Sequence, residues 1–66
     1  MAQMVIRLRN DADYIRCLEL AQQFRLDVTE LQNWDIQVFN VRDFRFLHGL
    51  LKRLRINHCC ISCFDY

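Results

Sequence analysis

Apolar residues recur along this chain at two spacings. Ile6 and Leu8 alternate with Arg7 and Arg9 over residues 4–8, the period-two pattern of a half-buried strand. From Asn10 the spacing changes. Tyr14, Cys17, Leu18, Leu20, Ala21 and Phe24 gather, at about 100° per residue, on one arc of about 160°. This predicts a helix over residues 11–25, with Ile15 as the one large apolar residue off the stripe. Asn10 suits the N-cap, and Asp11 and Asp13 lie in the first turn, where the helix dipole favours anions. A second helix is predicted over 41–55. There Asn40 caps, Asp43 repeats the acidic third position, and Phe44, Leu47, Leu50, Leu51 and Leu54 form the buried stripe with Phe46 just outside it.

Three further β-prone runs cover 28–31, 34–39 and 59–64, the first two separated by a turn at Gln32 and Asn33. The order is βαββαβ, and its halves echo each other. With Asn10 set over Asn40, Ile6 falls over Ile36, Leu8 over Val38, Asp13 over Asp43, Tyr14 over Phe44, Phe24 over Leu54, Arg25 over Arg55 and Leu26 over Ile56. One domain over residues 1–66, built from βαβ halves at 4–31 and 34–64, predicts an α+β ferredoxin-like split sandwich: a four-stranded antiparallel sheet with both helices on one face. Right-handed crossovers put the first and third strands in the centre. Because the turn lacks glycine, a βαβαβ order with one long central strand over 27–39, exchanged between two chains, is the alternative.

In the sandwich, alternation turns Ile6, Leu8, Leu31, Trp34, Ile36, Val38, Cys59, Ile61 and Cys63 toward the helices. The opposite face then carries Val5, Arg7, Arg9, Val28, Glu30, Asp35, Gln37, Phe39, Cys60, Ser62 and Phe64. Charge mixed with exposed apolar residues suits a partner better than water, so Arg7, Arg9, Gln37, Phe39 and Phe64 are candidate partner contacts.

Composition narrows the class. The 66 residues are 53% hydrophobic with one glycine and no proline, which excludes a disordered chain and favours regular elements joined by short turns. Such a chain lies near the lower size limit for an unstapled core. Self-association relieves that shortage, and edge strands without proline are open to pairing, so a homodimer is expected. A net charge of +1 argues against binding nucleic acid or membranes by bulk charge. No apolar run approaches the roughly 18 residues of a membrane span, and no secretory leader is visible, so a cytoplasmic location with reduced thiols is expected. Charge is nonetheless uneven. Residues 10–33 hold Asp11, Asp13, Glu19, Asp27 and Glu30 against Arg16 and Arg25, whereas 41–57 hold Arg42, Arg45, Lys52, Arg53 and Arg55 against Asp43 alone.

His58, Cys59, Cys60 and Cys63 are ligand types that zinc or copper(I) would take. On a strand, however, Cys59 and Cys63 point one way and Cys60 the other, and only Cys17 and His48 remain as further donors. The thiols therefore read first as small buried hydrophobes. Neither His48 nor His58 has a Ser or Cys nucleophile at a recognisable motif spacing, and no cofactor motif is present, so a non-enzymatic protein is expected. The outer face of the second helix carries Arg42, Arg45, Lys52 and Arg53 with Gly49 among them. Glycine there costs about 1 kcal/mol relative to alanine and permits close approach of a partner backbone or a phosphate. RNA-binding domains of this topology stack bases on aromatic residues of the central strands, and here only Phe39 is offered. The expected function is a small protein-binding regulator or inhibitor. It would work through the open sheet face or through Arg42, Arg45, Phe46, Gly49 and Arg53, with nucleic-acid-backbone binding by the basic helix and Cys/His metal binding as alternatives.

Overall fold

The computed structural model describes the backbone over residues 2–64 and side chains over residues 4–61. Its elements run β1 (Ala2–Leu8), α1 (Asp11–Gln23), β2 (Val28–Glu30), β3 (Asp35–Val38), α2 (Val41–Arg53) and β4 (His58–Phe64). The strands form one antiparallel sheet ordered β2-β3-β1-β4, the ferredoxin-like arrangement, and the break between β2 and β3 excludes the long-strand alternative. Ile6, Leu8, Ile36 and Val38 from the inner strands close on Cys17 of α1, on Leu47 and Leu51 of α2, and on Ile56. Tyr14, Leu18, Leu20, Leu26, Val28 and Phe44 pack around that centre.

Both helices are started and stopped by the same devices, thirty positions apart. Asn10 Oδ1 accepts from the Asp13 N–H at 2.8 Å and Asn40 Oδ1 from the Asp43 N–H at 2.8 Å. In each case the asparagine amide donates back to the aspartate carboxylate, so orphan donors at both helix starts are satisfied. At the other end the Arg25 N–H donates to the Gln22 carbonyl and the Leu26 N–H to the Ala21 carbonyl, while Arg55 donates to Lys52 and Ile56 to Leu51. This is the Schellman pattern, with Arg25 at φ 55° and Arg55 at φ 57° where glycine is usual. The turns close each helix two residues earlier than the hydrophobic spacing predicts.

Those turns also decide which way the outer strands face, and here several expectations are corrected. Leu26 and Ile56, drawn inward behind the left-handed arginines, start an even-numbered phase that the strands continue. Val28 therefore pairs with buried Val38 and Glu30 with buried Ile36, and His58 pairs with Leu8 and Cys60 with Ile6; directly opposed residues share a face. Val28, Glu30 and Cys60 thus lie on the helix side, opposite to their predicted side. Cys59 and Ile61, paired with Arg7 and Val5, lie on the open face rather than toward the helices. The predicted orientations of Ser62, Cys63 and Phe64 fall outside the described side chains.

The link between β2 and β3 corrects two more. Asn33 and Trp34 both take positive φ, 60° and 63°, and the Asp35 N–H closes on the Gln32 carbonyl at 3.3 Å, as in the mirror-image turns that join twisted hairpin strands. The turn consumes Trp34, so β3 starts at Asp35, and both Trp34 and Leu31 are exposed instead of buried. Phe39 lies beyond the end of β3, exposed, with its N–H on the Asp27 carbonyl. Phe24 and Leu54, assigned to the buried stripes, are also exposed, because each occupies a C-cap rather than the helix body.

The repeat is broken at one capping aspartate. Asp43 is buried and its Oδ2 also accepts from the Asp27 N–H at 2.9 Å, tying the start of α2 to the segment after α1. That bond, and next the Asn40 side chain, hold its carboxyl below the usual range. A depressed folded-state value stabilises the fold above the unfolded value and is lost as pH falls through the folded one. On acidification from about pH 4, the wild-type chain should lose stability that Asp43→Asn does not. In urea melts at neutral pH, Asn10→Ala and Asn40→Ala should each cost about 1 kcal/mol. Arg25→Gly and Arg55→Gly should instead stabilise by up to about 1 kcal/mol, by relieving left-handed strain; destabilisation by either glycine would contradict the Schellman assignment.

Candidate functional site

α2 presents the most distinctive outer surface. Phe46 lies one position before Leu47, so when Leu47 turns into the core Phe46 is carried to the flank, where it meets Phe24 of the α1 C-cap edge-to-face with centroids 5.0 Å apart. Both rings remain 43% exposed, a large apolar area to leave in water. Phe46, Gly49, Leu50 and Arg53 follow one another at helical i, i+3, i+4, i+7 spacing. Together with Arg45 they line a shallow depression of about 220 Å³. The site is basic and self-contained: among the described residues neither Arg45 nor Arg53 forms an ion pair. A Cβ built on Gly49 would meet nothing within 4 Å. The fold does not ask for glycine at this position.

Of the other predicted contacts, Arg42 stands beside the α2 N-terminus with its Nε 3.9 Å from Asp43, and Arg7, Arg9 and Gln37 belong to the sheet side. Arg7 is not free there: its guanidinium makes a bidentate pair with Asp35 at 2.8 and 3.1 Å. Arg9 Nη2 lies 3.8 Å from Cys59 Sγ. Arg7, Leu8, Arg9, Asn33, Trp34 and Cys59 line a groove of about 350 Å³ at the end of the sheet. Trp34 is held over it by its indole N–H, which donates to Asp11 Oδ1 at 2.6 Å. On the open face Ile61 takes the place of Val28, and exposed Phe39 continues the β2–β3 ladder through its bond to Asp27, whereas on α2 the apolar and basic groups gather around one depression.

The predicted Cys/His set is divided by the sheet. Cys59 lies on the open face, whereas His58 and Cys60 reach the helix side and meet His48 of α2. His58 Nδ1 lies 2.7 Å from the Ile56 carbonyl and so carries the hydrogen it donates, which leaves the Nε2 lone pair directed away. His48 Nδ1 stands 2.8 Å from that Nε2 and 3.2 Å from Cys60 Sγ. The three donor atoms lie within 4.8 Å of one another. His48 is braced by near-parallel stacking on Phe44, its neighbour one helical turn earlier. Burial, then the nearby His58 and Lys52, lower the His48 pKa, which favours the neutral imidazole. Burial raises that of the Cys60 thiol, with a smaller push from Cys59. In the sequence His48 reads as a packing residue; the missed signal is that His58 and Cys60, two apart on a strand, share one side.

No family model, curated protein or solved structure matches the chain. Among the described residues no helix is long and apolar enough to cross a membrane.

The thiols differ sharply in environment. Burial pushes Cys17 up to about 12, which leaves almost no thiolate at neutral pH, while Cys59 and Cys60 are exposed. Alkylation of the folded chain with iodoacetamide, read by peptide mass spectrometry, should label Cys59 and spare Cys17 until denaturant is added. Native labelling of Cys17 at the Cys59 rate would contradict the assigned core.

Proposed function

We propose that this protein is a non-enzymatic protein-binding module, a regulator or inhibitor, that docks an acidic, partly apolar segment of its partner on the outer face of α2. Gly49 is the observation that supports this most directly. The helix would be more stable by about 1 kcal/mol with alanine there, and the space is open, so neither folding nor packing accounts for it. A partner backbone lying in the depression does, since a methyl group would stand in its way. Phe46 and Phe24 supply the buried anchor such an interface needs, and Arg45 and Arg53 supply a polar rim that favours carboxylates. The uneven charge fits the same reading: α2 is basic on its exposed side, and its one carboxylate, Asp43, is occupied in the cap.

Self-association belongs to a different surface. β4 is a seven-residue edge strand with one side unpaired, and two copies meeting there would extend the sheet across a two-fold axis without covering α2. A homodimer of this kind leaves both docking faces free.

Affinity capture from the native cell, followed by calorimetry with the purified captured protein, tests the docking face. Phe46→Ala should weaken binding by roughly thirtyfold or more, and Arg45→Glu with Arg53→Glu should abolish it. Gly49→Ala should raise the melting temperature while weakening binding. Arg7→Glu, on the sheet side, should leave it unchanged. Docking on α2 is ruled out if the charge reversals have no effect, or if what is captured is nucleic acid that disappears on nuclease treatment and whose affinity falls steeply with salt.

A further inference from the structure

We propose that His48, His58 and Cys60 form a zinc site that ties the edge strand β4 to α2, holding one Zn²⁺ by His48 Nδ1, His58 Nε2 and Cys60 Sγ with a fourth position left to water. Two imidazole nitrogens and a thiolate are donors zinc accepts in sites that keep one coordination position open. Their present spacing, 2.8 Å between the nitrogens and 3.2 Å from His48 Nδ1 to sulfur, is tighter than tetrahedral zinc requires. Bond lengths of about 2.0 and 2.3 Å place the donors roughly 3.3 to 3.6 Å apart, so these two pairs must open by about half an ångström or less. The site can yield that much, since Cys60 is exposed and sits on an edge strand.

The surroundings are those of a ligand set. His58 is oriented by its bond from Nδ1 to the Ile56 carbonyl, the kind of outer contact that fixes the tautomer of a metal-binding histidine. His48 is fixed by Phe44 and by an edge contact with the His58 ring. Binding releases the Cys60 proton to solvent and needs His48 to carry its hydrogen on Nε2, changes that coordination itself drives. Lys52 acts electrostatically on both His48 and Cys60, and the Cys60 thiolate offsets its repulsion of the ion.

The internal repeat supplies an independent comparison. Thirty positions earlier, His48, His58 and Cys60 correspond to Leu18, Val28 and Glu30, and Leu18 and Val28 pack against the core as hydrocarbon. At two of the three positions the first half thus closes this corner with aliphatic side chains, and at the third it carries exposed Glu30. Nothing in the architecture requires two histidines and a cysteine in the second half.

That comparison also provides variants that should fold. His48→Leu and His58→Val install the residues that the first half already packs, and circular dichroism would check each. Zn²⁺ titrated into the reduced chain in competition with a chromophoric chelator should bind one per chain, tighter than about 1 µM. Either histidine variant should weaken it at least tenfold. Co²⁺ should give a thiolate charge-transfer band that Cys60→Ser removes and Cys59→Ser, on the opposite face, leaves intact. Binding weaker than that limit overturns the proposal, as does equal loss in Cys59→Ser and Cys60→Ser, or a preference for Cu⁺ with Zn²⁺ refused.

Discussion

Two arginines in the left-handed conformation set the geometry on which the rest depends. Arg25 and Arg55 end their helices by turning the chain back under the last turn, which delivers Leu26 and Ile56 to the core. Once those residues are inside, strand alternation fixes the facing of β2 and β4: Val28, His58 and Cys60 lie under the helices, and Cys59 and Ile61 lie on the opposite face. Left-handed arginine is strained by about 1–2 kcal/mol, and the strain persists because each turn places a large apolar residue in the interior and satisfies carbonyls at the helix end. In a chain this short, the burial of Ile56 alone is a sizeable share of the stability margin.

The architecture was legible because it is written twice. Asn10 and Asn40 mark helix starts by side-chain chemistry that acts locally, and the stripes from Tyr14 and Phe44 onward need only periodicity to be seen. Strand orientation was a different problem. In 59–64 both alternating sets contain cysteine and an apolar residue, so hydrophobic pattern alone cannot choose between them, and the deciding turn carries arginine where glycine would have advertised it. Trp34 misled for a related reason. A large aromatic residue reads as core or strand, yet here it occupies a positive-φ turn position and is held there by Asp11, a contact between segments far apart in the chain.

The same limits governed the sites. Phe46, Gly49, Arg45 and Arg53 belong to one helix, so their common surface followed from spacing, and only the partnership with Phe24 required the fold. His48 with His58 and Cys60 depends on strand phase and on the crossing of α2 over β4, neither of which sequence spacing encodes. The two surfaces are complementary uses of one helix. The outer side of α2 leaves apolar and basic groups uncovered, and its sheet side ends in a corner where two histidines replace Leu18 and Val28 of the first repeat.

The left-handed turn at Arg55 puts Cys60 beneath α2 and Cys59 on the far side of the sheet. Nuclear Overhauser contacts in the isotope-labelled protein test it most directly. Cross-peaks are expected from the His58 ring and Cys60 Hβ protons to the His48 ring, with Cys59 showing contacts to Arg7 and none to α2. Cross-peaks from Cys59 to His48, with Cys60 silent, would contradict it.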